Sequence, residues 1–198
     1  CVIIGGSHAA AQLGASLRQA GWEGATSIVG EEALPPYHRP PLSKAYLAGE
    51  KHSDELLIRP VSFYEKNDID LVLGNRVTAI DRDAKQITLH DGGHIPYTKL
   101  ALTTGAHVRK LTLPGHELEG VFYLRDLRDV DSMRTFVGAG KSAVIIGGGY
   151  IGLETAASLR KLGMEVTVLE ALPRVLQRVT APEVSTFYSR VHAEEGVN

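Results

Sequence analysis

An α/β fold built around two βαβ units is what the sequence predicts, and three observations carry it. First, one grammar occurs twice: an apolar run, a glycine turn, a helical stretch, a closing glycine and a second apolar run. The first copy opens at Val2-Ile3-Ile4-Gly5-Gly6-Ser7, continues with a helical stretch over 11–20 and Gly21, and ends in a strand over 26–29. The second opens at Ala143-Val144-Ile145-Ile146-Gly147-Gly148-Gly149, continues over 153–162 to Gly163, and ends in a strand over 165–169. Second, both opening runs are continuously apolar, the pattern of parallel strands buried on both faces, and the handedness of strand crossovers makes such units parallel. Third, the chain holds 21 glycines, well above the ~7% of average proteins, and Gly5, Gly6, Gly147, Gly148, Gly149 and Gly152 lie in these two turns.

Between the copies the pattern changes. Residues 31–41 are proline-rich, 42–50 read as helical, and 61–67 read as a short helix. Strands follow over 71–73, 77–81, 86–89 and 100–103. Turn residues at 81–85 and 91–93 predict a small antiparallel β-meander inserted in the first unit. Pro114-Gly115 marks the boundary, which gives domains of residues 1–113 and 114–198.

Composition excludes several classes. The 198 residues carry a net charge of −2, with 22% charged, so a basic nucleic-acid binder is excluded. The 43% hydrophobic content is that of a globular chain. A lone cysteine, Cys1, rules out an internal disulfide or a multi-cysteine metal centre. No apolar run reaches the ~18–20 residues that span a bilayer. The expectation is a cytoplasmic protein with no metal, nucleic-acid or membrane partner. The eight histidines are scattered and read as surface or loop residues, with His8 singled out because it lies in the first glycine turn. The chain opens inside a strand without an initiator Met and stops at Gly196-Val197-Asn198, where a new strand is due, so it reads as a segment of a longer protein.

The glycines indicate the chemistry. Gly147-x-Gly149-x-x-Gly152 follows a strand and opens a helix, the context in which this spacing binds a dinucleotide. The first glycine permits the tight turn, the second lets a pyrophosphate approach the helix N-terminus, and the third allows close packing. Glu170, 23 residues on from Gly147, stands at the end of the next strand. A carboxylate there accepts from both ribose hydroxyls and repels a 2′-phosphate, which favours NAD(H) over NADP(H). Arg174 and Arg178 are either phosphate contacts or part of a solvated helix face. The first copy has Gly5, Ser7 and Ala10 at the three glycine positions. Its ribose acid is Glu31, with Glu32 as the neighbouring alternative.

The stretch PPYHRPPLSK at 35–44 is a stiff loop that delivers Arg39 and Lys44 to the mouth of the first site. Together with GGGYIGLE at 147–154, LALTTGA at 100–106 and RVTAPEVS at 178–185, it resembles the FAD-dependent NADH:ferredoxin reductases that serve heme-thiolate monooxygenases and Rieske-type dioxygenases. The resemblance runs over the whole chain in the same motif order. It implies a FAD/NAD-linked reductase fold with two Rossmann-like dinucleotide-binding domains, both incomplete here. The return segment of the FAD domain, with its second phosphate motif, lies outside these residues. The turns themselves offer Gly5 and Ser7 to the first cofactor and Gly152 to the second, and the loop offers Arg39 to the first. The resemblance implies that Ala9, Glu31, Lys44, Val77 and Arg125 contact FAD, with Thr104 and Gly105 matching the family's turn, and that Gly147, Gly149, Ile151, Glu170 and Arg178 contact NAD. Thr103 replaces an alanine of the family's turn, and Val108-Arg109 stands where that turn has Pro-Arg.

By the same resemblance, Lys44 and Glu154 form a catalytic ion pair at the domain junction beside the reacting edge of the flavin. The implied activity is electron transfer from NADH through FAD to a ferredoxin-type [2Fe-2S] protein of an oxygenase system. Two alternatives stand beside it. One is another NADH-dependent flavoenzyme, without a redox dithiol because no cysteine pair is present. The other is an NADH-sensing flavoprotein resembling apoptosis-inducing factor.

Overall fold

A computed structural model describes residues 1–198, which divide into two compact units: 1–38 with 54–107, and 39–53 with 108–198. In the first unit lie strands β1 (Val2–Ile4) and β2 (Thr26–Val29), helices α1 (His8–Gln19) and α2 (Val61–Lys66), and strands β3 (Ile69–Val72), β4 (Val77–Asp81), β5 (Gln86–Leu89), β6 (His94–Pro96) and β7 (Leu100–Leu102). The second unit holds α3 (Leu127–Arg134), β8 (Ser142–Ile146), α4 (Tyr150–Lys161), β9 (Glu165–Leu169) and α5 (Pro182–Glu194).

The first unit is a four-stranded parallel sheet in the order β3-β2-β1-β7, with β4-β5-β6 as a separate antiparallel sheet. The continuous apolar run of β1 is explained by what lies on each face. Val2 and Ile4 pack with Val29 against Ile87 and Leu89 of the meander. Ile3 points the other way, into a cluster with Ala10 of α1, Tyr64 of α2, Ile28 and Ile69. Removing a side chain as enclosed as Ile3 typically costs ~2–5 kcal/mol. Arg18, in the last turn of α1, donates to the carbonyls of Trp22, Gly24, Asn67 and Asp68, which ties the end of α1 to the end of α2.

In the second unit β8 and β9 pair in parallel, Ser142 opposite Glu165 through Ile146 opposite Leu169, and α4 is the crossover. Val197 continues the pattern as a parallel bridge to Val166. Burial on both faces, expected of both opening strands, holds for β1 and fails for β8. One face of β8 and β9 leaves Val144, Ile146 and Leu169 at 63%, 60% and 52% exposure.

Three further expectations are revised. Both crossover helices start about one turn earlier than the periodicity suggests, at His8 and Tyr150, because the glycine turn itself supplies the N-cap (Ser7 and Gly149). Residues 42–50 are not an α-helix. Pro40–Ser43 form a short 3₁₀ turn, and Lys44 breaks it with φ −129°, ψ −114°. Two prolines supply no N–H groups there, and hydrogen-bonded turns carry the chain on to Gly49 at φ +76°. Finally, residues 39–53 pack within the second unit, although their sequence position places them in the first.

Candidate dinucleotide sites

At the first turn, Gly5 has φ +114°, and a Cβ on it would stand 2.2 Å from the Thr103 carbonyl oxygen. The backbone leaving β7 therefore crosses directly over Gly5. Thr103 Oγ1 fixes that crossing by donating to Ile4 O at 2.9 Å. Ser7 does not cap α1 with its side chain, so the leading N–H groups of the helix face the turn, with exposed Ala9 among them.

Beside the turn an open cleft of about 320 Å³ is lined by Ile4, Val77, Thr78, Leu102 and Thr104 among others. Val77 and Thr104, 27 residues apart in the chain, are thus brought to one surface. The cleft lies at the carboxyl ends of β1 and β7, where the strand order reverses, which is the usual ligand position in such sheets. Gly105 follows at φ +67°.

The two candidate acids after β2 separate clearly. The Glu32 carboxylate accepts from the hydroxyl of buried Tyr37. Glu31 faces outward and pairs with Arg76 at 3.5 Å. His8 and His38 meet at 3.1 Å between ring nitrogens, both exposed, a contact that sequence reading did not anticipate.

In the second unit the fingerprint glycines have different local reasons. A Cβ on Gly147 (φ +113°) or Gly149 would meet nothing within 4 Å, whereas one on Gly152 would lie 2.0 Å from Gly147 O. The first two leave open space above the turn, and the third closes the turn on itself. Ile151, at the start of α4, is 54% exposed. Glu170 reaches back over the turn and accepts from Leu172 N at 2.9 Å and Gly148 N at 2.8 Å. These two backbone donors, with a smaller contribution from Arg178, hold its carboxyl below the usual value. The arginines also separate: Arg174 donates to Thr180 O, Gln177 O and Ser185 Oγ, bracing the loop before α5, and Arg178 is the cation beside Glu170.

The 39–53 segment brings the remaining candidates together within the second unit. Arg39 Nη1 donates to Arg125 O at 2.9 Å, and Arg125 N donates to Asp129 Oδ2. Asp126 and Asp129 form a capping box at the start of α3, a helix that the Asp-x-x-Asp spacing signalled and sequence reading overlooked. Lys44 Nζ lies 2.5 Å from Glu154 Oε2, and Ser43 Oγ donates to the same oxygen at 2.7 Å. Burial pushes the Glu154 carboxyl up, but Lys44 and Ser43 together outweigh it and hold it below the ordinary value. Ser158, one turn further along α4, donates to Ser43 O at 2.7 Å. Tyr46 donates to Asp131 Oδ1 at 2.6 Å, and burial, with that carboxylate, pushes its phenol up to about 12.

Comparison with known proteins agrees with this layout. The ferredoxin reductase subunit of 5,5′-dehydrodivanillate O-demethylase from Sphingobium sp. (strain NBRC 103272 / SYK-6) is 44% identical over 198 residues, covering 100% of this chain and 48% of the relative. Putidaredoxin reductase from Pseudomonas putida is 44% identical over 200 residues, with coverages of 100% and 47%. The chain thus spans about half the length of these curated relatives. The crystal structure of the ferredoxin reductase for the CYP199A2 system from Rhodopseudomonas palustris superposes with a TM-score of 0.94 at 40% identity, covering 100% of this chain and 49% of that one. The model of the pyridine nucleotide-disulphide oxidoreductases matches residues 1–198, and with both glycine turns and the parallel sheets in place, the chain belongs to that family.

Proposed function

We propose that this chain is the amino-terminal part of a cytoplasmic FAD-dependent NADH:ferredoxin reductase that delivers electrons to a [2Fe-2S] ferredoxin of a monooxygenase or dioxygenase system. Its two units are then two Rossmann-like dinucleotide domains, the first for FAD and the second for NAD. The observation that carries the reading is the pair of glycine turns, each at the carboxyl end of a parallel strand and each followed by an available acid. The residues present fit both groups. Open space stands above Gly147 and Gly149, where any other residue would place a Cβ. In the first unit the apolar cleft includes Leu102 at 63% exposure, a side chain an adenine-bearing cofactor would cover.

Val77, Thr104 and Gly105 would hold the adenosine half of FAD, with Gly5, Ser7 and Ala9 at its diphosphate and Glu31 at its ribose. Gly147, Gly149, Ile151 and Gly152 would hold the diphosphate of NADH, with Glu170 and Arg178 at its adenosine ribose. When bound, the nicotinamide and the flavin supply hydride transfer followed by single-electron transfers. The protein's part is placement and charge. Lys44 presents a cation whose ammonium is held by Glu154. Arg39, in the same segment as Lys44, is held by the Arg125 carbonyl.

No helix is long and apolar enough to cross a membrane. Within these 198 residues the lone cysteine, Cys1, leaves no cysteine pair for a dithiol relay. The test is turnover by the protein expressed from its full reading frame, with NADH as donor and a [2Fe-2S] ferredoxin as acceptor. Ferredoxin reduction at many turnovers per second supports the reading. Flavin reduction by NADH without transfer to any ferredoxin favours the NADH-sensing alternative.

A further inference from the structure

We infer that Arg76 is a positioning residue for the adenosine end of the proposed FAD, acting through Glu31; this rests on the FAD reading of the first unit. Arg76 Nη1 lies 3.5 Å from Glu31 Oε1, with side-chain exposures of 57% and 50%. The pair is built rather than incidental, because the backbone on either side of it is strapped. Gly74 N donates to Glu32 O at 3.0 Å, and Asn75 N donates to Gly30 O at 3.0 Å. The turn between β3 and β4 is therefore fixed against the segment carrying Glu31. The Asn75 side chain donates to Asp91 Oδ2 at 2.6 Å, and His90 N donates to Arg76 O at 2.8 Å, which anchors the same turn to the meander. The residue after Arg76 is Val77, which lines the cleft.

The chemistry needs such a device. A carboxylate that accepts from ribose hydroxyls must hold an oxygen toward them, so its plane must be set. A half-exposed Glu otherwise samples several rotamers, and ordering it on binding weakens affinity. Glu31 and Glu32 are also adjacent like charges, and Tyr37 engages only Glu32. Arg76 neutralises Glu31 and holds Oε1, leaving Oε2 for the hydroxyls. Its strap fixes where that carboxylate stands relative to Val77.

The experiment titrates deflavinated protein, expressed from the full reading frame, with FAD and separately with FMN, which lacks the adenosine. Flavin fluorescence gives both dissociation constants. Arg76→Met is expected to weaken FAD about tenfold, the order set by losing one ordered carboxylate contact. FMN affinity should not change, and Arg76→Lys should recover most of the loss. Equal FAD affinity in Arg76→Met and wild type overturns the inference and leaves the FAD reading standing. Equal losses for FAD and FMN overturn it as general damage. Failure of wild type to bind FAD above FMN overturns the FAD reading itself, and the inference with it. An unchanged melting temperature of the flavin-free variant, expected for so exposed a side chain, confirms that folding is intact.

Discussion

Replacing Glu154 with Gln should destabilise the second unit in a way that depends on pH. The carboxylate accepts from Lys44 Nζ at 2.5 Å and from Ser43 Oγ at 2.7 Å. With side chains 47% and 35% exposed, the ion pair itself is screened and contributes ~0.2–1 kcal/mol. The Ser43 bond adds a few tenths, since Gln keeps a neutral acceptor in the same place. The expected total is about 1 kcal/mol, a fall of ~2–4 °C in melting temperature for a chain of this size. The sign with pH follows from the lowered carboxyl. A group whose folded-state value lies below its unfolded value of ~4.3 stabilises fully above that value, and the contribution fades as pH falls through the folded-state value. Melting curves of wild type and Glu154→Gln should therefore stay a constant distance apart from pH 8 to about 5. They should converge between there and acid unfolding. Adding Lys44→Met to Glu154→Gln should cost less than Lys44→Met alone. A gap below 1 °C at pH 7, or one that does not narrow in acid, would refute this account of the pair.

Gly5→Ala should destabilise by more than ~3 kcal/mol, because φ +114° and a 2.2 Å approach to Thr103 O both forbid the methyl. Gly149→Ala, at φ −81° with nothing within 4 Å, should leave the melting temperature within ~2 °C while weakening NADH binding at least tenfold, as isothermal titration would show. Steady-state kinetics with both nucleotides should give a higher kcat/KM for NADH, since Glu170 is the proposed ribose acid and Arg174 is committed to the loop before α5. A higher value for NADPH would reverse that assignment and single out Arg178. The 198-residue chain by itself should purify with well under one flavin per chain. Its cleft leaves Leu102 largely exposed, and small-molecule sites bury ~70–90% of their ligand. A stoichiometric flavin spectrum would show that the first unit suffices.

What the sequence made legible was what the chain encodes locally. The turns at Gly5 and Gly147, their helices and the meander each occupy a short stretch with its own pattern, and all are present in the fold. Three kinds of feature were not legible. Arg174 could have been a phosphate contact or part of a solvated helix face, and only the fold shows its acceptors at 177, 180 and 185. Residues 42–50 have helical composition, but Ser43 and Lys44 are drawn to Glu154, more than 100 residues away, and tertiary contact overrides propensity there. The burial of β8 could not be read from its apolar run, because periodicity reports what a strand can bury and not what covers it. The cap of α3 was readable and was missed.

The place of β1 in its sheet has a consequence for how the chain folds. Val2–Ile4 pairs on one side with Ser27–Val29 and on the other with Leu100–Leu102. A ribosome adding ~5–20 residues per second brings the first partner out within seconds of β1, and the second only ~5–20 s after it. Through that interval the strand that becomes the centre of the sheet is an edge, with its N–H and C=O groups unpaired and free to pair with other chains. Gly5 cannot settle under Thr103 until the second partner arrives, so the first glycine turn takes its final form only when the sheet closes. Contacts across ~98 residues of chain also make this closure intrinsically slow. A ligand that needs the finished turn would then bind late and capture the closed sheet.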